Sequence, residues 1–173
     1  MVIRKATEKD IEKTAKIYDD IHTMEEKGLL QIGWIRGVYP TVETANSAYE
    51  RQDLFVIEDG GEIVAAAVIN KKQVESYKRG HWKYDADDSE VMVLHTLVVS
   101  PGFSKKGYGK AFVNFYEQYA AKEKCRFLRM DTNAKNKTAR AMYKKLGYAE
   151  VDIVSCDFNG ICGIELVLLE KKL

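Results

Sequence analysis

The hydrophobic positions of this chain switch repeatedly between the spacing of a helix and the spacing of a strand. In the first third, the pattern predicts a strand, a helix, an irregular connection and a second helix, at residues 2–5, 11–27, 29–40 and 41–52. The first helix is expected to end near Gly28, because glycine adopts left-handed backbone angles without strain. The irregular connection carries Trp34 and Tyr39 without clean periodicity.

Two glycine-containing turns divide the rest of the chain into strands. Both Asp59-Gly60-Gly61 and Asn159-Gly160 predict hairpins. The remaining strands are predicted at 53–58, 62–70, 90–100, 127–131, 148–157 and 161–169, with helices at 107–119 and 136–146 and a polar excursion at 71–89. The resulting order, βααβββαβαββ, predicts an α+β (mixed α/β) fold in a single domain over residues 1–173.

Composition and charge narrow the classes of function. The 173 residues are 46% hydrophobic and 31% charged with two prolines, which excludes a disordered or collagen-like chain. Lys and Arg exceed Asp and Glu by one charge, so a nucleic-acid partner is not expected. The longest apolar run, 63–69, is far shorter than the ~20 residues of a membrane span. No membrane partner is therefore expected either.

The cysteines give a prediction about the compartment. Cys125, Cys156 and Cys162 are odd in number, and their spacing matches neither a zinc site nor a redox Cys-x-x-Cys pair. The start of the chain turns polar at once and does not predict a signal peptide. These observations favour a cytoplasmic protein without a metal centre.

Residues 97–110 carry the first sign of chemistry. They predict a strand, a turn containing glycine and lysine, and the start of a helix. Free N–H groups at a first helical turn bind anions, and Lys105, Lys106 and Lys110 add positive charge. The segment therefore indicates a phosphate-bearing ligand, with an ordinary loop carrying solvated lysines as the alternative.

Two segments resemble one known family. The turn, Ser104-Lys105-Lys106-Gly107-Tyr108-Gly109, resembles the pyrophosphate loop, Gln/Arg-x-x-Gly-x-Gly/Ala, of the GNAT superfamily of acyl-CoA-dependent N-acetyltransferases. Ser104 stands where that family has Gln or Arg, and Lys105 stands where glycine is common. Residues 136–148 are similar to a second family segment, Asn-x-x-Ala-x-x-Leu-Tyr-x-Lys-Leu-Gly-Phe. The resemblance extends to uncharacterised bacterial members.

The resemblance implies a fold, an activity and a set of binding residues. The implied fold is a mostly antiparallel twisted sheet flanked by about four helices, and the implied reaction is direct transfer of acetyl from acetyl-CoA to an amine of a small molecule. The residues implied in cofactor binding are Leu97, Val98, Val99, Ser104, Lys105, Lys106, Gly107, Tyr108, Gly109, Lys110 and Asn136. Asn136 can equally serve as the N-cap of the following helix.

Two residues are predicted to be catalytic. Tyr143 matches the family tyrosine that protonates the departing thiolate, although its spacing also suits a core position. His95 is the candidate base, because it is the one histidine in the central strand and its ordinary pKa is about 6.5. Side chains two apart share a strand face, so His95 is expected beside Leu97. Glu90 and a water relay stay open as alternative bases.

Several alternatives remain at this stage. A CoA-binding regulatory module without turnover, and an enzyme that acetylates protein amines, both fit the motifs. Dimerisation is common in similar proteins, so a homodimer stays open. The aromatic residues of the irregular stretches suit an acceptor pocket or simple anchoring, with anchoring favoured: Trp34, Tyr39, Trp82 and Tyr84.

Overall fold

The predicted order of elements is the order found in the computed structural model, which describes residues 1–173. The strands are β1 (Val2–Lys5), β2 (Leu54–Asp59), β3 (Glu62–Asn70), β4 (Val91–Val99), β5 (Phe127–Asn133), β6 (Ala149–Phe158) and β7 (Ile161–Lys172). The helices are α1 (Asp10–Glu26), α2 (Val42–Glu50), α3 (Tyr108–Lys122) and α4 (Lys137–Lys145). No helix is both long and apolar enough to span a membrane.

All seven strands form one mixed sheet in the order β1-β2-β3-β4-β5-β7-β6. Every neighbouring pair is antiparallel except β4 and β5, which run parallel. The β4–β5 ladder joins Val91–Leu94 to Phe127–Met130 and ends there. Beyond Leu94 the edge of β4 that faces β5 therefore has no strand partner, and a gap opens in the centre of the sheet.

The helices divide the core between the two faces of the sheet. On one face, α3 and α4 pack over residues such as Leu94 and Met130, which are 3% and 1% exposed. On the opposite face, α1 and α2 cover residues such as Leu54 and Val68. We refer to these as the α3/α4 face and the α1/α2 face.

A bulge at Thr96 changes which residues share a face. Ala66 pairs with Val98 while Val68 pairs with His95, so β4 carries an extra residue there, and Thr96 has a φ of 51°. His95 consequently lies with Val68 on the α1/α2 face, whereas Leu97 packs in the α3/α4 core. The expectation that His95 and Leu97 share a face is wrong, because the strand period of two does not survive an inserted residue.

A buried ion pair fastens the excursion at 71–89 to the sheet. Arg129 of β5 donates from Nε to Glu170 Oε1 of β7 at 3.0 Å, and both residues are at most 5% exposed. Glu170 also accepts from the backbone N–H groups of Lys83 and Tyr84. The Arg129 guanidinium lies 4.2 Å from the centre of the Trp82 ring. Trp82 and Tyr84 are thus anchors of this segment, as the sequence favoured.

Candidate active site

A cavity of about 570 Å³ passes through the gap between β4 and β5. Its walls come from both faces of the sheet: Tyr143 and Ala139 belong to the α3/α4 face, while Trp34 and His95 belong to the α1/α2 face. The gap exists because the parallel ladder stops at Leu94 and the two strands diverge. A ligand held on one side of the sheet can therefore meet a second ligand from the other side.

Tyr143 presents its hydroxyl to this cavity. The residue is 6% exposed and sits on α4 in the α3/α4 core, with its ring edge-on to that of Tyr148. Burial, and then the negative charge of Asp131, raise the pKa of Tyr143, so the phenol is protonated at neutral pH. No protein group hydrogen-bonds the hydroxyl, which leaves it available to donate to a bound ligand.

The loop before α3 forms a cradle of unsatisfied donors. The N–H groups of residues 105–110 have no acceptor in the protein, and the first bond of the helix runs from Ala111 N to Gly107 O. Gly107 caps the helix with a φ of 89°, a conformation that glycine adopts without strain. Consecutive free amides at a helix N-terminus are suited to binding a pyrophosphate. This segment therefore fits the phosphate-bearing ligand that the sequence indicates.

The structure sorts the predicted binding residues into two groups. The cavity is lined by Leu97, Val98, Val99, Ser104 and Asn136 together with both predicted catalytic residues, His95 and Tyr143. The residues of the cradle do not line the cavity itself: Lys105, Lys106, Gly107, Tyr108, Gly109 and Lys110. They follow Ser104 directly in the chain, so their free N–H groups lie next to the cavity wall.

Three of the predicted binding side chains have other partners. The Tyr108 hydroxyl donates to Asp59 Oδ2 at 2.6 Å, so this side chain is turned toward the end of β2. Asn136 Oδ1 accepts from Ala139 N at 3.1 Å and is therefore the N-cap of α4. The Lys106 ammonium lies 4.8 Å from the centre of the Phe103 ring. Any contact of Tyr108 with the donor would have to come from its backbone.

His95 belongs to a chain of polar contacts on the α1/α2 face. Its Nε2 is 3.1 Å from Asn70 Oδ1, and Asn70 Nδ2 donates to Asp53 Oδ2 at 2.8 Å. Asn70 Oδ1 also accepts from Lys72 N, which fixes that oxygen as an acceptor. His95 Nε2 therefore carries the proton, and its Nδ1 carries the lone pair. Burial lowers the pKa of His95 to about 4, so the ring is neutral at pH 7.

The cavity also contains an acidic residue, Asp131, that the sequence motifs do not indicate. Asp131 lies at the carboxyl end of the parallel strand β5, and Tyr77 donates its hydroxyl proton to Asp131 Oδ2 at 2.8 Å. Burial raises the pKa of Asp131 to about 6, against a smaller lowering by the Tyr77 hydrogen bond. The sequence signal for such a site is the change from the apolar residue Met130 to the polar residues 131–133 at the carboxyl end of β5.

Other expectations also need correction. Glu90, the alternative base, is held by Arg126 at the opposite end of β4 and does not line the cavity. Trp34 and Tyr39 do line it, packed edge-on at 5.9 Å, and the Tyr39 hydroxyl is 2.5 Å from Thr96 Oγ1. The anchoring role that the sequence favoured for these two aromatic residues is therefore incomplete.

The profile of the acetyltransferase (GNAT) family matches residues 15–148, and the chain belongs to this family of acyltransferases. Members of the family generally use acetyl-CoA and act on amine acceptors. The resemblance drawn from the two sequence motifs is thereby confirmed.

One relative and several solved structures are similar to this chain. An uncharacterized N-acetyltransferase of Methanocaldococcus jannaschii is 32% identical over 74 residues, which is 43% of this chain and only a third of the relative. A GNAT-family acetyltransferase from Streptococcus agalactiae is 21% identical with a TM-score of 0.81, covering 99% of this chain and 95% of that one. A ribosomal-protein-alanine N-acetyltransferase from Brucella melitensis is 16% identical with a TM-score of 0.72 over the whole of both chains. These structures confirm the predicted fold.

Proposed function

We propose that this protein is an N-acetyltransferase that transfers acetyl from acetyl-CoA directly to the amine of a small-molecule acceptor. The observation that carries the proposal is the cavity through the sheet, with the amide cradle beside it and Tyr143 on its α3/α4 wall. The donor fits this side because the unpaired edge of β4 beyond Leu94 offers backbone groups to its pantetheine arm. Leu97 and Val99 would supply those groups.

The chain's own residues have distinct tasks in this proposal. The N–H groups of residues 105–110 hold the pyrophosphate, and the lysines around them balance its charge. The Tyr143 hydroxyl gives its proton to the thiolate as the C–S bond breaks. An acceptor amine enters from the α1/α2 face, where His95 and Asp131 are the candidate proton acceptors. The free thiols agree with the predicted cytoplasmic location, which stays a prediction.

Thermal unfolding with and without excess acetyl-CoA tests the donor site. A ligand at 100 times its Kd stabilises the folded state by about 2.7 kcal/mol, so a rise in Tm of several degrees is expected. An absence of any rise at millimolar acetyl-CoA would contradict the proposal.

Replacing Tyr143 by Phe tests turnover. The ring keeps its packing, so the thermal shift by acetyl-CoA should persist while the rate of CoA release falls by about 100-fold or more. Tyr119→Phe is the matched control, since Tyr119 packs against the same core but does not line the cavity, and its rate should be nearly unchanged. An unaffected Tyr143→Phe rate would remove Tyr143 from the acid role. A wild-type protein that binds acetyl-CoA without releasing CoA to any amine would instead favour the regulatory-module alternative.

A further inference from the structure

The part of the cavity on the α1/α2 face has a distinctive chemistry, and we call it the α1/α2-side chamber. Its walls combine apolar and aromatic side chains, Ile21, Ile32, Trp34, Tyr39, Phe158 and Ile164, with uncharged polar ones such as Thr44, Ser47 and Asn70. Asp131 is the only acidic residue among all those that line the cavity. A chamber with large apolar walls and a single carboxylate is complementary to a ligand with an apolar body and one positive charge.

One oxygen of Asp131 is free to bind such a ligand. Oδ2 accepts from Tyr77, whereas Oδ1 has no hydrogen-bond partner in the protein. This oxygen is not fully buried, and Asp131 lines the cavity, so Oδ1 is accessible to a ligand there. Tyr77 is itself fixed, because it is 2% exposed and packs edge-on against Trp82. The carboxylate is therefore oriented before any ligand arrives.

The other charged groups of the chamber do not replace Asp131. Arg51 is engaged by Asp53, with Nε 3.0 Å from Oδ2, and Lys72 is exposed at the rim. His95 is turned to Asn70 by its Nε2 proton. Asp131 lines the same cavity as Tyr39 and the proposed acid, Tyr143, and after burial its negative charge raises the pKa of each.

We propose that Asp131 binds the ammonium group of the acceptor and takes its first proton, and that the acceptor is an amine with one positive charge and an apolar body. This inference rests on the proposed acetyl transfer. The ammonium gives one proton to Asp131, and the freed amine bonds to the thioester carbon as the C–S bond breaks. Tyr143 protonates the thiolate and regains a proton from the acetylated nitrogen. Asp131 returns its own to water, so one proton is released per turnover.

The same geometry excludes two other kinds of acceptor. A carboxylate on the carbon that bears the amine would lie beside Asp131 and be repelled by it. A second or third ammonium on the acceptor would be buried among apolar walls without a counter-ion, which is costly. The chamber therefore selects against α-amino acids and against polyamines.

Three probes test the acceptor class in the wild-type enzyme with acetyl-CoA. These are 2-phenylethylamine, phenylalanine, which adds a carboxylate to the same body, and spermidine, which is a polycation. We expect kcat/KM for 2-phenylethylamine to exceed the other two by tenfold or more. Equal or greater activity with phenylalanine or spermidine would overturn the proposed class.

Substitution of Asp131 tests the residue. Asp131→Asn should lower kcat/KM for 2-phenylethylamine at pH 7 by about 100-fold or more, as is typical for loss of a general base. Asp85→Asn is the matched control, because Asp85 is exposed and makes no hydrogen bond or ion pair; its kcat/KM should change less than twofold. Wild-type kcat/KM in Asp131→Asn would overturn the role of Asp131.

Acetyl-CoA binding distinguishes a failure of the role proposed for Asp131 from a failure of the proposed acetyl transfer. A thermal shift by acetyl-CoA that persists in Asp131→Asn shows that the variant is folded and that its defect lies on the acceptor side. A wild-type protein without any such shift would defeat the proposed function itself. Should Asp131→Asn not fold, Tyr77→Phe removes the hydrogen bond to Oδ2 and should move the acidic limb of kcat/KM to higher pH. An unmoved limb would contradict the inference.

Discussion

The two candidate bases differ because burial acts in opposite directions on a cationic and an anionic acid–base pair. Burial disfavours the charged form of each group, which lowers the pKa of His95 to about 4 and raises that of Asp131 to about 6. A general base works best when its pKa lies near the working pH. The same environment thus weakens the residue that the sequence indicated and strengthens the residue that it missed.

The pH profile distinguishes the two bases. If Asp131 accepts the proton, kcat/KM should fall tenfold per pH unit below about 6, where the carboxylate becomes protonated. The titratable groups around it are Tyr39, Tyr77, Tyr143 and Cys156, and burial raises the pKa of each, so none of them ionises near pH 6.

His95→Gln completes this test, since a glutamine amide can also donate to Asn70. The limb near pH 6 should persist in His95→Gln and disappear in Asp131→Asn. A wild-type limb near pH 4 that is lost in His95→Gln would assign the base to His95 instead, because that is the pH at which His95 becomes protonated in the folded protein.

At the scale of elements, the sequence predicted the features that depend on neighbouring residues alone. The order of strands and helices followed from periodicity and from glycine-containing turns, and the buried run at 63–69 lies in β3. The bulge at Thr96 could not be predicted, because it depends on how β4 pairs with β3 rather than on its own residues. The divergence of β4 from β5 is hidden from the sequence for the same reason. Asp131 was missed with it, since a strand-end carboxylate gains meaning only once the gap is known.

The cradle before α3 allows a test that separates backbone strain from ligand binding. Gly107 has a φ of +89°, so any side chain placed there strains the backbone by about 1 kcal/mol or more. A Cβ added at this position would have no atom within 4 Å, so the strain does not come from a clash. Gly107→Ala should therefore lower Tm by a few degrees and also weaken the thermal shift by acetyl-CoA. Gly60→Ala is the control, because Gly60 has a φ of +60° and equally open space in the β2–β3 turn.

The two glycine variants should differ only in the thermal shift that acetyl-CoA produces. Gly60→Ala should lose comparable stability and keep the full acetyl-CoA shift, which thermal scans with and without the ligand would measure. Equal acetyl-CoA shifts in both variants would show that the cradle at residues 105–110 does not hold the donor.

At the scale of the whole molecule, the ionised carboxylate of Asp131 lowers the free energy of unfolding. The Asp131 carboxylate is buried at the cavity wall, and Tyr77 is its one hydrogen-bond donor in the protein. Because the folded-state pKa of Asp131 is raised from 3.8 to about 6, the folded protein binds a proton more tightly than the unfolded chain. The contribution of Asp131 to stability is therefore fully present below the unfolded-state pKa of 3.8 and is lost as the pH rises through about 6.

Removal of the Asp131 charge should stabilise the protein while it lowers kcat/KM about 100-fold. Asp131→Asn keeps an acceptor for Tyr77 and should raise the free energy of unfolding at pH 7.5 by about 3 kcal/mol, or Tm by about 6–12 °C. At pH 4.5 the gain should shrink to about a third, since Asp131 is then largely protonated in the folded wild type. Thermal scans at both pH values measure the difference, with Asp85→Asn as the control expected to show none. A variant less stable than the wild type at pH 7.5 would mean that the native structure favours the ionised carboxylate, and the chamber would then hold its charge without strain even when no acceptor is bound.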